Sequence, residues 1–148
     1  MRFVIQRVKN AKVLIDGTLH SRIEAGLLVF AGICESDDEA IADKMVKKLC
    51  AMRIFADENG KTNLSVNDIG GKLLIVSQFT LYADCKHGNR PSFSFAAGAQ
   101  KADALYNHIL AEAEKYVPGV QAGIFGADMK VELLNDGPFT IILDSDTL

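Results

Sequence analysis

Ser77, Gln78 and Thr80 follow directly on the apolar run Leu73-Leu74-Ile75-Val76. That run carries apolar side chains on both alternating faces, so it reads as a strand covered on both sides. Polar groups at the end of such a strand are not free in solvent. Leaving one unpaired costs about 1–3 kcal/mol, so they are either tied into the backbone or line a site. A second segment has the same character: Asn135-Asp136-Gly137-Pro138-Phe139-Thr140 leads into Ile141-Ile142-Leu143.

Each candidate group has a chemical and a plain reading. Thr80 offers a hydroxyl nucleophile, but threonine needs an activating base or an N-terminal amine, and neither lies nearby in sequence. Its backbone is the more economical tool. A chain leaving a buried strand can turn consecutive N–H groups toward a ligand oxygen, forming an oxyanion hole. Gly137-Pro138 is either a turn between two strands or a rigid hook, with Pro fixing φ and Gly permitting close approach. Arg7 shares a face with Phe3 and Ile5. It either snorkels out of the core or forks onto backbone carbonyls or a carboxylate at a site.

Of the histidines, His108 falls within a helix and His20 on a strand's solvent face. His87 sits beside Lys86 and Arg90 in a polar stretch and is read as a contact rather than a base. Cys85 near His87 does not make a thiol catalytic pair, because two positions on a loop define no geometry. No GxSxG elbow, HExxH or P-loop is present, and no His, Cys or carboxylate cluster has metal-ligand spacing. No metal and no cofactor are expected.

The elements that must position these groups follow from periodicity. Residues 2–15 read as one long strand, or two broken at Asn10. Asp16-Gly17 is a hairpin signal. Residues 18–24 return, and Leu27 to Ile33 form a third, more buried strand. Ser36 with Glu39 reads as a capping box opening a helix whose apolar positions are Ile41, Met45, Leu49 and Met52. A short strand at 53–56, a turn at 57–60 and the central strand 72–79 follow. Residues 83–98 form a loop too long to be idle. A second helix covers roughly 99–116, with Ala102, Leu105, Ile109, Ala113 and Tyr116 on one stripe. Two final strands, near 129–135 and 139–144, flank Asp136-Gly137-Pro138. The expectation is an α+β fold: one domain over 1–148, a mostly antiparallel barrel-like sheet, and two packed helices.

Bulk properties narrow the function. With 49% hydrophobic residues, 148 residues suit one core. No apolar run is long enough to span a membrane, and the N-terminus lacks a secretory pattern. Three cysteines without a CxxC pair argue against a disulfide framework and for a reducing cytoplasm. A net charge of -3 gives no global attraction to nucleic acid, so any polyanion must meet a local basic patch.

Five segments, in order, carry a resemblance. They are Ile5-Gln6-Arg7-Val8, Ala25-Gly26-Leu27-Leu28-Val29, Ser77-Gln78-Phe79-Thr80-Leu81, Asn89-Arg90-Pro91-Ser92-Phe93 and Asn135-Asp136-Gly137-Pro138. The chain resembles the D-aminoacyl-tRNA deacylases, formerly called D-tyrosyl-tRNA deacylases, over essentially its whole length. The pairing of Ser77-Gln78-Phe79-Thr80 with Asn135-Asp136-Gly137-Pro138 is the specific part. Phe139 departs from the family, which more often has Val there.

The resemblance implies an ester hydrolase that frees a D-amino acid, or glycine, from the 3′-terminal adenosine of tRNA, a proofreading activity. It implies a homodimer whose active sites draw on both subunits. Ser77, Gln78, Phe79 and Thr80 would line the pocket, with backbone groups of Phe79 and Thr80 holding the substrate. Gly137-Pro138 would enter from the partner subunit with a cis peptide bond, and Arg7 would hold it in place. Phe125, Ala127 and Met129 would sit near the terminal adenine. Lys86, His87 and Arg90 are expected to meet phosphates. Against this stands a non-catalytic dimeric module that binds RNA or another ligand.

Overall fold

The central strand organises the molecule. In the computed structural model, which describes residues 1–148, β6 (Lys72–Ser77) pairs in parallel with β3 (Gly26–Gly32) on one side and β7 (Gln121–Ala122) on the other. Leu73, Leu74, Ile75 and Val76 are all buried. A parallel strand covered on both faces needs this unbroken apolar run, as the sequence predicts.

Around it the sheet is mostly antiparallel. β1 (Arg2–Ile15) is one uninterrupted strand through Asn10, and it pairs antiparallel with β3. Its second half pairs with β2 (Thr18–Ile23) across the Asp16-Gly17 turn. Both turn residues have positive φ, 50° and 74°, the backbone a two-residue hairpin requires. Ser21 Oγ donates to the Ala122 carbonyl at 2.8 Å, tying β2 to β7 and curling the sheet toward a barrel.

Two helices cover one face: α1 (Glu39–Ala51) and α2 (Ala99–Tyr116). Between α1 and β6 lies the small hairpin of β4 (Phe55–Ala56) and β5 (Thr62–Leu64). Leu27, Val29, Leu73 and Ile75 meet Met45, Leu49, Tyr106 and Ile109 in the larger core. Leu28, Leu74 and Val76, on the opposite face, join Val8, Ala11, Val13 and Ile23 in a smaller one.

Several expectations need correction. Asp38, not Ser36, caps α1, its carboxylate accepting the Ile41 N–H at 2.8 Å. Asp37 cannot serve, because its carboxylate is buried against the Met1 ammonium and the Cys34 N–H. On α2 the buried aromatic is Tyr106, while Tyr116 at the C-terminal end is exposed.

The final two strands are one. β8 (Met129–Asp144) runs antiparallel to β1 along nearly its whole length. The register breaks in the middle: Asn135 faces Val8 and Thr140 faces Gln6. Residues 136–139 therefore stand opposite Arg7 alone and must leave the ladder as a wide excursion. Met129, Val131 and Leu133 pack on the smaller core, and Phe139, Ile141 and Leu143 on the larger one. The excursion is where β8 crosses from one core to the other, so Asp136-Gly137-Pro138 is no hairpin turn.

Candidate active site

β6 ends where chemistry becomes possible. After Ser77 the chain turns through a single helical turn, Phe79–Tyr82, opened by Gln78. The first hydrogen bond of that turn is Leu81 N–H to the Gln78 carbonyl at 3.3 Å. The amides of Phe79 and Thr80 open it, so no carbonyl within the turn accepts from them. Thr80 Oγ1 accepts from Gln78 Nε2 at 2.6 Å. Its partner is an amide donor, and no carboxylate or imidazole bonds to it to withdraw its proton.

Beside this turn lies a cavity of about 640 Å³. Val76, Ser77, Gln78 and Phe79 form one wall, and 125–129 with Val131 form the opposite wall. Ala96, Ala97, Ala99 and Ala102, before and within α2, form the third. Phe79 is 56% exposed at the mouth and meets Phe93 edge-on, with ring centroids 5.0 Å apart. Mostly apolar walls with a few convergent polar groups are the usual character of a small-ligand site.

The structure thus gathers Ser77, Gln78 and Phe79 with Phe125, Ala127 and Met129, and Thr80 sits just beyond the rim. It does not bring Lys86, His87 and Arg90 into the cavity. They are exposed on the 83–98 loop, which is pinned by the Asp84–Ser92 and Cys34–Ala96 bridges. The other two histidines are accounted for. His20 is exposed, and His108 joins α2 to α1 through Asp43 at 2.7 Å. The alanine wall went unpredicted. Its signal was the run Ala96-Ala97-Gly98-Ala99, small side chains that leave volume at the start of a helix.

Gly137 and Pro138 lie elsewhere. Both are exposed and neither lines the cavity of its own chain. Arg7 does fork. Its Nη1 donates to the Ile54 carbonyl at 2.6 Å and its Nε to the Asp136 carbonyl at 3.0 Å. The Asp136 carboxylate stands 3.5 Å from Arg7 Nε and 3.3 Å from Lys9 Nζ. The guanidinium also lies 4.7 Å from the centre of the Phe139 ring, a cation–π contact.

Asn135, absent from the predicted site residues, closes the base of the excursion. Its side-chain amide donates to the carbonyls of Arg7 and Phe139 at 2.9 and 3.3 Å. Gly137 has φ of 126°, and a Cβ there would stand 2.6 Å from Arg7 Nη2, so only glycine fits. The Gly137–Pro138 bond is trans in this structure, as are all others, so the cis bond implied by resemblance is not found here.

Among ionisable groups near the cavity, burial pushes the Tyr106 phenol up to about 12. No three His, Cys, Asp or Glu side chains converge in a way that would hold a metal ion.

Comparison with known proteins decides the lineage of this arrangement. The family model described as D-Tyr-tRNA(Tyr) deacylase matches residues 4–144. The chain belongs to that family. A D-aminoacyl-tRNA deacylase of Dictyoglomus turgidum is 50% identical over 148 residues, 100% of this chain and 95% of the relative. One from Stutzerimonas stutzeri is 51% identical, covering 98% of this chain and 100% of its own. One from Lactobacillus delbrueckii subsp. bulgaricus is 54% identical, over 97% and 99%.

Among solved structures, a c-Myc DNA unwinding element binding protein superimposes with a TM-score of 0.92 at 39% identity, over 97% of this chain and 98% of its own. A probable eukaryotic D-amino acid tRNA deacylase gives 0.83 at 17% identity, over 96% and 97%, and shares the fold.

Proposed function

We propose that the chain hydrolyses the ester joining a D-amino acid, or glycine, to the 3′-terminal adenosine of tRNA. The observation that carries this reading is the cavity where Ser77–Phe79 face the 125–131 wall, in a chain of the deacylase family. The aminoacyl group lies against the Ser77–Thr80 turn and the adenine against Phe125, Ala127 and Met129. Water adds to the ester carbonyl carbon, and the free amides of the turn stabilise the oxyanion that forms. The intermediate collapses, the C–O bond to the ribose 3′-oxygen breaks, and that oxygen leaves with a proton as the tRNA 3′-hydroxyl.

No side chain supplies a base. An aminoacyl ester is already activated, and the neighbouring ribose 2′-hydroxyl assists the water, so positioning accounts for most of the remaining barrier.

The working unit is a homodimer with sites shared between subunits. Two features support this: Gly137-Pro138 protrudes from its own chain, and Leu134 and Ile142 on the same strand are 57% and 64% exposed. The hook from one subunit reaches the cavity of the other and leaves room for hydrogen alone on one side of the substrate α-carbon. L-residues collide there, which is selectivity by exclusion. Lys86, His87 and Arg90 meet tRNA phosphates. A cytoplasmic location fits the three free cysteines, and no helix is long and apolar enough to cross a membrane.

The test is release of D-Tyr from D-Tyr-tRNA at enzyme concentrations far below substrate. Many turnovers are expected, with D-Asp-tRNA and glycyl-tRNA also cleaved and L-Tyr-tRNA spared. Stoichiometric binding without release would favour a non-catalytic nucleic-acid-binding module, the class to which the c-Myc DNA unwinding element binding protein belongs by name. A substrate lacking the terminal 2′-hydroxyl should react far more slowly; unchanged turnover on it rejects substrate assistance.

A further inference from the structure

Tyr106 is 2% exposed and takes no part in the chemistry described above. Its hydroxyl donates to the Ile75 carbonyl at 2.8 Å and lies 3.4 Å from the Gly123 carbonyl. A phenol has one proton, so the shorter contact is the bond. The Ile75 carbonyl also accepts the Gly123 N–H at 3.1 Å. One carbonyl, two residues before Ser77, therefore gathers α2, β6 and the root of the opposite cavity wall. The Tyr106 ring stands 6.2 Å from that of Phe125, tilted by 43°. Ala102, one turn earlier on α2, lines the cavity, so all three walls converge on this phenol.

We propose that Tyr106 is a positioning residue that holds the 123–131 wall against the end of β6. It thereby sets the gap into which the terminal nucleoside fits beside the Ser77–Thr80 turn. This rests on the reading of the cavity given above. Core packing alone does not explain the hydroxyl. The Ile75 carbonyl keeps a partner in Gly123 without it, and burying a hydroxyl costs more than burying a phenyl ring. What the hydroxyl adds is a directional tether from α2 to the end of β6, at the carbonyl to which the Gly123 N–H of the wall is also bonded.

Contacts to the nucleoside are the same in the ground state and the transition state, so weakening them acts on KM and not on kcat. Tyr106→Phe keeps the ring and leaves the Ile75 carbonyl bonded to the Gly123 N–H, while the Gly123 carbonyl loses its 3.4 Å contact. Steady-state kinetics on D-Tyr-tRNA should show KM raised about ten-fold and kcat within about two-fold of wild type. Ile109→Val, which removes one methylene from the same helix face, should lower Tm without moving KM. An unchanged KM in Tyr106→Phe, or a fall in kcat alone, would overturn the assignment.

Because KM reports folded molecules only, partial unfolding does not blur the result. Amide hydrogen exchange gives a second readout. Residues 123–129 should exchange faster in Tyr106→Phe while Leu73–Val76 do not change, and equal protection of 123–129 in both proteins would also refute the tether. If the wild-type protein released no D-Tyr, the functional reading would fall, and the exchange experiment would still judge Tyr106.

Discussion

The Ser77–Thr80 turn and the Asp136–Phe139 excursion are both polar interruptions of apolar strands, yet the fold treats them oppositely. The first ends a strand buried on both faces and lines a cavity of its own chain. The second leaves the sheet, is exposed at its tip, and does not line that cavity. The turn is held by short-range bonds among Gln78, Thr80 and Leu81 and by a single long-range side-chain bond, from Arg2 Nη1 to the Leu81 carbonyl. The excursion is held by long-range ones, from Arg7 and Asn135. A protrusion anchored by Arg7 and Asn135 yet exposed at its tip is the feature that brings a second copy into the proposed site.

The largest expected effect tests that contrast at its anchor. Arg7→Ala releases the Ile54 and Asp136 carbonyls and should cut kcat/KM by about 10² or more, since small misplacements cost that much. Pro138→Ala, which frees φ at the tip, should act in the same direction more weakly. Full activity in both variants, measured on D-Tyr-tRNA, would remove the hook from the site.

Dilution comes next. If the working unit is the proposed dimer, specific activity per chain should fall with concentration, in step with the mass measured by light scattering or analytical ultracentrifugation. A monomer retaining full activity would confine the site to one chain.

Thr80→Ala probes the other side of the comparison. Only its backbone is assigned a role, so activity should stay within about ten-fold of wild type, far above the loss expected for a nucleophile. A loss of several orders of magnitude, with the fold intact by circular dichroism, would restore the hydroxyl mechanism.

The smallest effect concerns Phe139. Its ring lies over the Arg7 guanidinium, and removing a cation–π contact of this kind costs about 0.5–2 kcal/mol. Phe139→Val should lower Tm by a few degrees and leave turnover nearly unchanged. A large drop in activity would mean that the ring shapes the tip as well as bracing its base.

Local pattern made much of this molecule legible. The buried run 73–76, the Asp16-Gly17 hairpin, α2 and the polar ends at Ser77 and Asn135 follow from side-chain period and turn chemistry, which act within a few residues. Ser77, Gln78 and Thr80 were legible as candidate site material from the polar end of their strand, whereas Phe125, Ala127 and Met129 came from the family resemblance alone. Only the tertiary structure decided where those segments meet. Asp38 caps α1 because Asp37 is drawn inward to the Met1 ammonium, a partner distant in sequence. Residues 129–144 form one strand because β1 is long enough to pair with both halves of it. Arg7 turns inward because the Ile54 and Asp136 carbonyls await it. Tyr106 is the buried aromatic of α2 because Ile75 and Gly123 converge on it. Such contacts join positions dozens of residues apart, and no period within a single segment carries them.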